Sequence, residues 1–485
     1  MRFIYKGGYP MTEKEFRIES DSIGEVQVPA DAYYGVNAIR AASNFTITGR
    51  TIHEELIKGL AEVKIACAES NFEAGIMTEE VKDAIVKASE EILEGKLHDQ
   101  FIVDPIQGGA GTSANMAANE IIANRANELL GGELGVYDRV HPNDHVNMGQ
   151  STNDSFPTAG KIAAIRLGQR TVEELKKLYE ALLEKSKEFD GIIKMGRTHL
   201  QDAVPIRLGQ EFHAYSSVIK RDIERLEYAL EGIKVVNMGA SAVGTGINVD
   251  TEYLKVIVPN LNKVNNLGLV QTEDLVDGTN NLDGFVFVSA ALKTAAVNLS
   301  KMSNDMRLMA SGPRCGFGEL NLPPKQAGSS IMPGKVNPVI AEVMSQVAFN
   351  IIGNDTAVTM AAEAGQLELN VFEPVLLYNL YESLETLGNG VATFRENLVK
   401  DVTANIERCK ALVDGSVGTI TAIVPHVGYK NAAKVAKIAI ETGQPVRELT
   451  IKEGFLTEEE LDEILDPFAM TEPGIAAKHL LDEKK

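Results

Sequence analysis

The sequence has few cysteines, no long apolar run and a deficit of positive charge. Its three cysteines, Cys67, Cys315 and Cys409, are scattered without metal-ligand spacing. This argues against a disulfide framework and a thiolate-built metal centre, and predicts a reduced, cytoplasmic setting. No stretch approaches the roughly 20 apolar residues that cross a bilayer, and no signal peptide is expected. Lys and Arg number 47 against 68 Asp and Glu, a formal net charge of −21. Nucleic acid and acidic membranes attract clustered cations, so neither is expected as a partner. If the substrate is an anion, the protein's own field opposes it and the site must be locally positive. Lys335 and Arg197 are the candidates.

What is present is organised around Gly328–Pro338, which reads Gly-Ser-Ser-Ile-Met-Pro-Gly-Lys-Val-Asn-Pro. The stretch combines hydroxyls, a cation, an amide and glycines that let backbone N–H groups approach a ligand. It is not a phosphate loop, because five residues separate Gly328 from Gly334 and Val336 follows Lys335. A helix start with Asn337 as N-cap and Pro338 at the first position is expected as well. That reading alone leaves Ser329, Ser330 and Lys335 without a purpose.

Around this loop the chain reads as helical. Asp31–Ala42, with Asp31 as a possible N-cap, Ile52–Phe72 and Thr78–Leu97 are predicted helices. Five longer apolar repeats follow at Ile162–Leu183, Leu208–Ile233, Phe285–Met309, Ile340–Val358 and Leu376–Leu398. Each carries an apolar stripe with little polar relief, so the five must pack as a bundle. Thr457–Glu460 reads as a capping box opening a small helix. The glycine cluster Gly108–Met116 matches G-x-G-x-x-A, but Pro105 weakens the preceding strand. A tight turn before a helix near Asn115 competes evenly with a binding role. Length suggests about three domains, placed at 1–149, 150–407 and 408–485. Met11 is expected to be the natural start, not Met1.

Four segments carry a resemblance: Gly111-Thr-Ser-Ala-Asn-Met116, Gln150-Ser-Thr-Asn-Asp154, Gly196-Arg-Thr-His-Leu-Gln201 and Gly328–Asn337. The last contains every fixed position of Gly-Ser-Ser-x-Met-x-x-Lys-x-Asn, the signature of the aspartase/fumarase superfamily, and the resemblance covers nearly the whole chain. It implies a mainly α, three-domain chain whose central five-helix bundle assembles into a tetrameric helical core. Each active site is then built from three chains. The motif order agrees: Ser151–Asp154 precedes the first long helix and Arg197–Leu200 lies beyond its far end, about 40 Å away.

The chemistry implied is β-elimination giving fumarate. Removing a proton beside a carboxylate leaves a doubly charged aci-carboxylate, so electrostatic stabilisation is central. Thr112, Ser151, Thr152 and Ser330 would serve the β-carboxylate; Lys335, Asn337 and Thr198 would hold the α-carboxylate. Ser329 matches the superfamily's general base, its acidity raised by loop N–H groups, a helix N-terminus and Lys335. His199 would pair with Glu342 and, with Asn153, face the leaving group.

Gly-Thr-Ser-Ala-Asn-Met and Ser-Thr-Asn follow the aspartase pattern, so the expected reaction is reversible release of ammonia from L-aspartate. The alternative is a class II fumarase acting on L-malate, favoured by the fumarase-like His141-Pro-Asn-Asp144. Ala117 and Gly149 also depart from the common pattern. A non-catalytic scaffold is disfavoured by the intact Ser329, Lys335, Asn337, His199 and Thr198. No redox cofactor and no required metal are expected; activation by a divalent metal is not legible in the sequence.

Overall fold

The computed structural model describes residues 15–482; Met1 and Met11 lie outside the described residues. β1 (Phe16–Asp21) and β2 (Gly24–Pro29) form an antiparallel hairpin pairing Phe16 with Pro29 and Asp21 with Gly24. α1 (Val36–Asn44), α2 (Glu54–Glu73), α3 (Glu79–Leu93), α4 (Thr112–Leu129) and α5 (Thr152–Glu188) follow. A second antiparallel hairpin, β3 (Ile193–Thr198) and β4 (Gln201–Arg207), leads into α6 (Leu208–Gly232). β5 (Val235–Val236) and β6 (Val270–Gln271) pair in parallel and flank α7 (Thr251–Asn265). Then come α8 (Leu275–Asn280), α9 (Asp283–Met309), β7 (Leu320–Asn321), α10 (Val339–Glu363) and α11 (Glu373–Phe394). β8 (Thr403–Ala404) pairs with β7. Short helices complete the chain: α12 (Ile406–Asp414), α13 (Ile420–Val427), α14 (Tyr429–Thr442), α15 (Val446–Lys452), α16 (Glu458–Ile464), α17 (Pro467–Thr471) and α18 (His479–Asp482).

The fold is mainly α, and the five predicted long helices are α5, α6, α9, α10 and α11. Among the described residues no helix is long and apolar enough to cross a membrane. The described residues divide into two compact units, each assembled from three segments: those up to Thr171, 225–293 and 350–386 in one, the remaining described residues in the other. In the first, α2 packs against α3 and α7, and α4 against α1 and α3. In the second, α12 lies on β3, and α13–α16 close around Ile423, Val435, Leu449, Leu461 and Ile464. Thr457 and Glu460 cap α16 reciprocally, as the sequence predicts.

Several boundaries differ from the sequence reading for a physical reason. α1 starts at Val36, and Asp31 caps nothing there. Its first-turn N–H groups are met by the carboxylate of Glu120 on α4, buried and 2.7–3.2 Å from the nitrogens of Gly35, Asn37 and Ala38. A distant carboxylate replaces the local cap.

α5 begins ten residues before the apolar repeat. Ser151 Oγ accepts from Asn153 N at 3.2 Å and the Asp154 carboxylate accepts from Ser151 N at 2.9 Å, a capping-box arrangement. Pro157 inside α5 leaves the Asn153 carbonyl without its intrahelical donor. Asn237 Nδ2 donates to that oxygen at 3.0 Å.

Candidate active site

In the first unit, two of the four motifs come together at helix N-termini. α4 begins at Thr112 and α5 at Thr152, so both hydroxyls sit where unpaired N–H groups and the helix dipole favour an anion. α4 starts three residues earlier than predicted because Gly111 caps it in a left-handed conformation, φ 90°. A Cβ on Gly111 would lie 2.4 Å from the Phe156 ring, so only glycine lets the α4 start seat on α5. Thr112 Oγ1 donates to the Gly109 carbonyl at 2.6 Å, and Ser151 and Thr152 are half-buried. Asn153 Nδ2 donates to the Ala242 carbonyl at 2.7 Å.

Beneath these helix starts lies a buried polar cluster absent from the sequence reading. Lys64 of α2 donates to Asn115 Oδ1 at 2.8 Å, Gln150 Oε1 at 2.7 Å and Asn147 Oδ1 at 3.1 Å. Asn115 Nδ2 donates to Thr152 Oγ1 at 3.1 Å, joining the first motif to the second. Burial pulls the Lys64 ammonium down to about 8. Burial also pushes Asp154 up to about 7, against the backbone donors Ser241 and Ser151 and the positive charge of Lys64. The only signal for Lys64 was a charged residue on a helix that is buried almost all round.

The raised Asp154 makes a pH prediction. An acid whose folded pKa exceeds its unfolded value near 3.8 keeps its proton in the native state while the unfolded chain has lost it. Stability therefore falls as pH rises from about 4 to about 7. Asp154→Asn is expected to flatten that slope, as thermal melts at pH 5 and pH 7.5 would reveal. An unchanged slope would remove Asp154 from the account.

In the second unit, Thr198 and His199 occupy the tip of the β3–β4 hairpin and are exposed. His199 and Leu200 both have positive φ, 57° and 58°, the two-residue pattern usually supplied by Asn-Gly. Holding a histidine and a leucine there stores strain, a mark of functional turns. His199 has no side-chain partner among the described residues, and Glu342 lies 3.9 Å from Arg307. The expected His199–Glu342 pair is thus not formed within one chain.

Arg197 departs from the expectation of a free cation. It donates to both oxygens of Glu319, at 2.9 and 3.1 Å, and lies 4.2 Å over the Phe317 ring. Glu319 is fully buried and also 3.6 Å from Lys194. Its charge neutralises Arg197, so of the two candidates Lys335 alone stays exposed and without an ion-pair partner among the described residues.

The Gly328–Pro338 loop carries Ser329, Ser330, Lys335 and Asn337. Ser329 Oγ accepts from two backbone N–H groups, Met332 at 3.0 Å and Ile331 at 3.2 Å. Gly328 N donates to the Lys335 carbonyl at 2.9 Å and Asn337 Nδ2 to the Gly328 carbonyl at 2.8 Å, closing the neck. α10 starts at Val339, so Asn337 is not the N-cap; its amide holds the loop shut instead. A Cβ at Gly328 would sit 2.6 Å from the Lys335 carbonyl oxygen, which that neck excludes. Ser330 and Lys335 are exposed on the loop. Among the described residues no group of three or more His, Cys, Asp or Glu is placed to hold a metal.

The fold and these motifs define a lyase. A family model described as "Lyase" matches residues 24–353 and one described as "Fumarase C C-terminus" matches residues 420–472. The chain belongs to this family, the aspartase/fumarase superfamily. Its relatives include the "Aspartate ammonia-lyase" of Bacillus subtilis, 55% identical over 97% of this chain and 99% of that protein. The protein of the same name from Escherichia coli is 47% identical over 97% of this chain and 99% of its own. Among solved structures, a fumarate lyase:delta crystallin from Brucella melitensis bound to cobalt superposes with TM-score 0.93. It is 46% identical, covering 95% of this chain and 100% of that one. A class II fumarase from Schistosoma mansoni gives TM-score 0.90 at 35% identity, with the same coverage.

Proposed function

We propose that this protein converts L-aspartate reversibly to fumarate and ammonia. The observation that carries the chemistry is Ser329, whose Oγ receives two backbone N–H groups in a loop that also presents Lys335. Donors aimed at an oxygen favour its anionic form, which is what a serine base needs. The substrate is supported by the two relatives at 55% and 47% identity over nearly full length, both named for ammonia release from aspartate.

In this reading Ser329 Oγ takes the Cβ proton. The electron pair passes into the β-carboxylate, met by Ser151, Thr152 and Ser330, and by Thr112 once its hydroxyl turns from the Gly109 carbonyl. It returns to form the Cα=Cβ bond as the Cα–N bond breaks and the amine departs past Asn153 and His199. Lys335, Asn337 and Thr198 hold the α-carboxylate. No external oxidation state changes, so this reading calls for no redox cofactor.

We place these sites at junctions of a homotetramer in the cytoplasm. α5 runs 37 residues between Ser151 and the β3–β4 hairpin, about 55 Å of helix. Motifs at its two ends serve one site if separate copies supply them, which would also bring a His199 to a Glu342. α10 leaves Val343, Phe349, Ile352 and Met360 exposed, and α9 leaves Phe287 and Val297 exposed. Apolar residues repeated along long helices suit burial against other copies.

The test is absorbance of fumarate with the purified protein offered L-aspartate and then L-malate. Fumarate from aspartate alone is expected. Fumarate from malate alone would overturn the substrate and return the fumarase alternative.

A further inference from the structure

We infer that Lys64, which lies in none of the four motifs, is a positioning residue: through Asn115 it sets the direction of hydrogen bonding so that the Thr152 hydroxyl points its proton at the substrate carboxylate. The inference deepens the aspartate reading and rests on it.

The argument starts from what each group can do. An ammonium only donates, so every group meeting Lys64 Nζ must present an oxygen. Asn115 does so at 2.8 Å; Ser155 Oγ lies 3.2 Å from the same oxygen but gives its one proton to the Ser151 carbonyl at 2.7 Å. With its oxygen fixed on that side, the Asn115 amide must turn its two N–H groups the other way. They reach Asn147 Oδ1 and Thr152 Oγ1, both at 3.1 Å. Asn147 Oδ1 itself receives Lys64 at 3.1 Å, so its orientation is fixed by the same cation.

Thr152 Oγ1 therefore receives a hydrogen bond from beneath, and its own proton has no acceptor among the described residues. A carboxylate only accepts, so a hydroxyl is useful to it only when the proton faces outward. Were the amide reversed, Asn115 Oδ1 would take that proton and Thr152 would turn a lone pair toward the substrate. The donor-only cation, 0% exposed, makes that reversal costly because a nitrogen would then face Nζ. Lys64 thus also puts a buried positive charge behind a site on an acidic protein.

The decisive variant is Asn115→Asp. It keeps the shape and gives Lys64 a carboxylate partner, but it has no N–H to donate to Thr152 or to Asn147, so the Thr152 variants separate the two losses. Folding and native mass are expected to hold, and KM for L-aspartate to rise about 10- to 100-fold, the scale of one hydrogen bond to a charged group. The change in kcat should be smaller. Thr152→Val should give a similar rise, whereas Thr152→Ser, which keeps a hydroxyl, should raise KM less than Thr152→Val does. The double variant Asn115→Asp/Thr152→Val should be no worse than Thr152→Val alone, since both remove one donor.

Lys64→Met is expected to raise KM in the same way. If it does not accumulate as folded protein, the Asn115/Thr152 cycle decides the matter. An unchanged KM in Asn115→Asp, or fully additive losses in the double variant, would overturn the role of Lys64. The unsubstituted protein is assayed alongside. Its failure to make fumarate from aspartate would overturn the substrate reading and this inference with it, whereas an active protein with an additive cycle overturns the inference alone.

Discussion

Ser329→Ala is expected to lower fumarate formation from L-aspartate by about 10³-fold, the range for loss of a positioned general base. The variant should keep its native mass and melting temperature. The reason lies in the local geometry. Ser329 Oγ accepts from the N–H groups of Ile331 and Met332, which tie the loop to itself. The loop's neck is held separately, by Gly328 N on the Lys335 carbonyl and Asn337 Nδ2 on the Gly328 carbonyl. The lost hydroxyl frees two N–H groups, but those of Ile331 and Met332 are exposed and water can take them. The fold should not register the change while the chemistry should. Initial rates by absorbance, with a thermal melt on the same sample, separate the two. Activity within tenfold of the starting protein would remove Ser329 as the base.

Glu319→Ala is expected to have the largest effect on stability, about 3–5 kcal/mol, the usual result of breaking a buried ion pair from one side. Glu319 is fully buried between Arg197 at 2.9 Å and Lys194 at 3.6 Å, with Glu211 compensating only Lys194. Its removal leaves the Arg197 guanidinium against Phe317 with no counter-charge. Arg197 precedes Thr198 and His199, and the strained turn at His199 and Leu200 depends on a firm hairpin beneath it. Activity should therefore fall along with stability. Glu319→Gln, which keeps the shape and half the acceptors, should retain more of both. Thermal melts and initial rates on the two variants check this ordering. A melting temperature unchanged in Glu319→Ala would mean that water or a shifted Arg197 replaces the carboxylate without cost.

The long helices were legible because each buries a stripe, and a stripe repeats every three or four residues whatever it packs against. The Thr457–Glu460 capping box was legible because both partners lie within one turn. The boundaries that moved did so where the partner is distant in the chain. α1 takes its cap from Glu120, more than 80 residues away, and so ignores Asp31. Asn337 looked like a cap because Pro338 follows it, yet its amide is used nine residues back on Gly328.

By itself the sequence determined the helical class, the four motif segments and the loop that carries Ser329 and Lys335, because those depend on residue type and short spacing. The tertiary structure decided which charges are available and which way hydrogen bonds run. Arg197 looked like a cation for the substrate until Glu319, 122 residues on, was found against it. Lys64 gave no sign of function until Asn115, Asn147 and Gln150, 51 to 86 residues away, were seen to surround it. Periodicity reports whether a residue faces inward. It is silent on what an inward-facing charge meets, and in a buried site that partner decides whether the charge serves the substrate, cancels another charge or orients a hydroxyl.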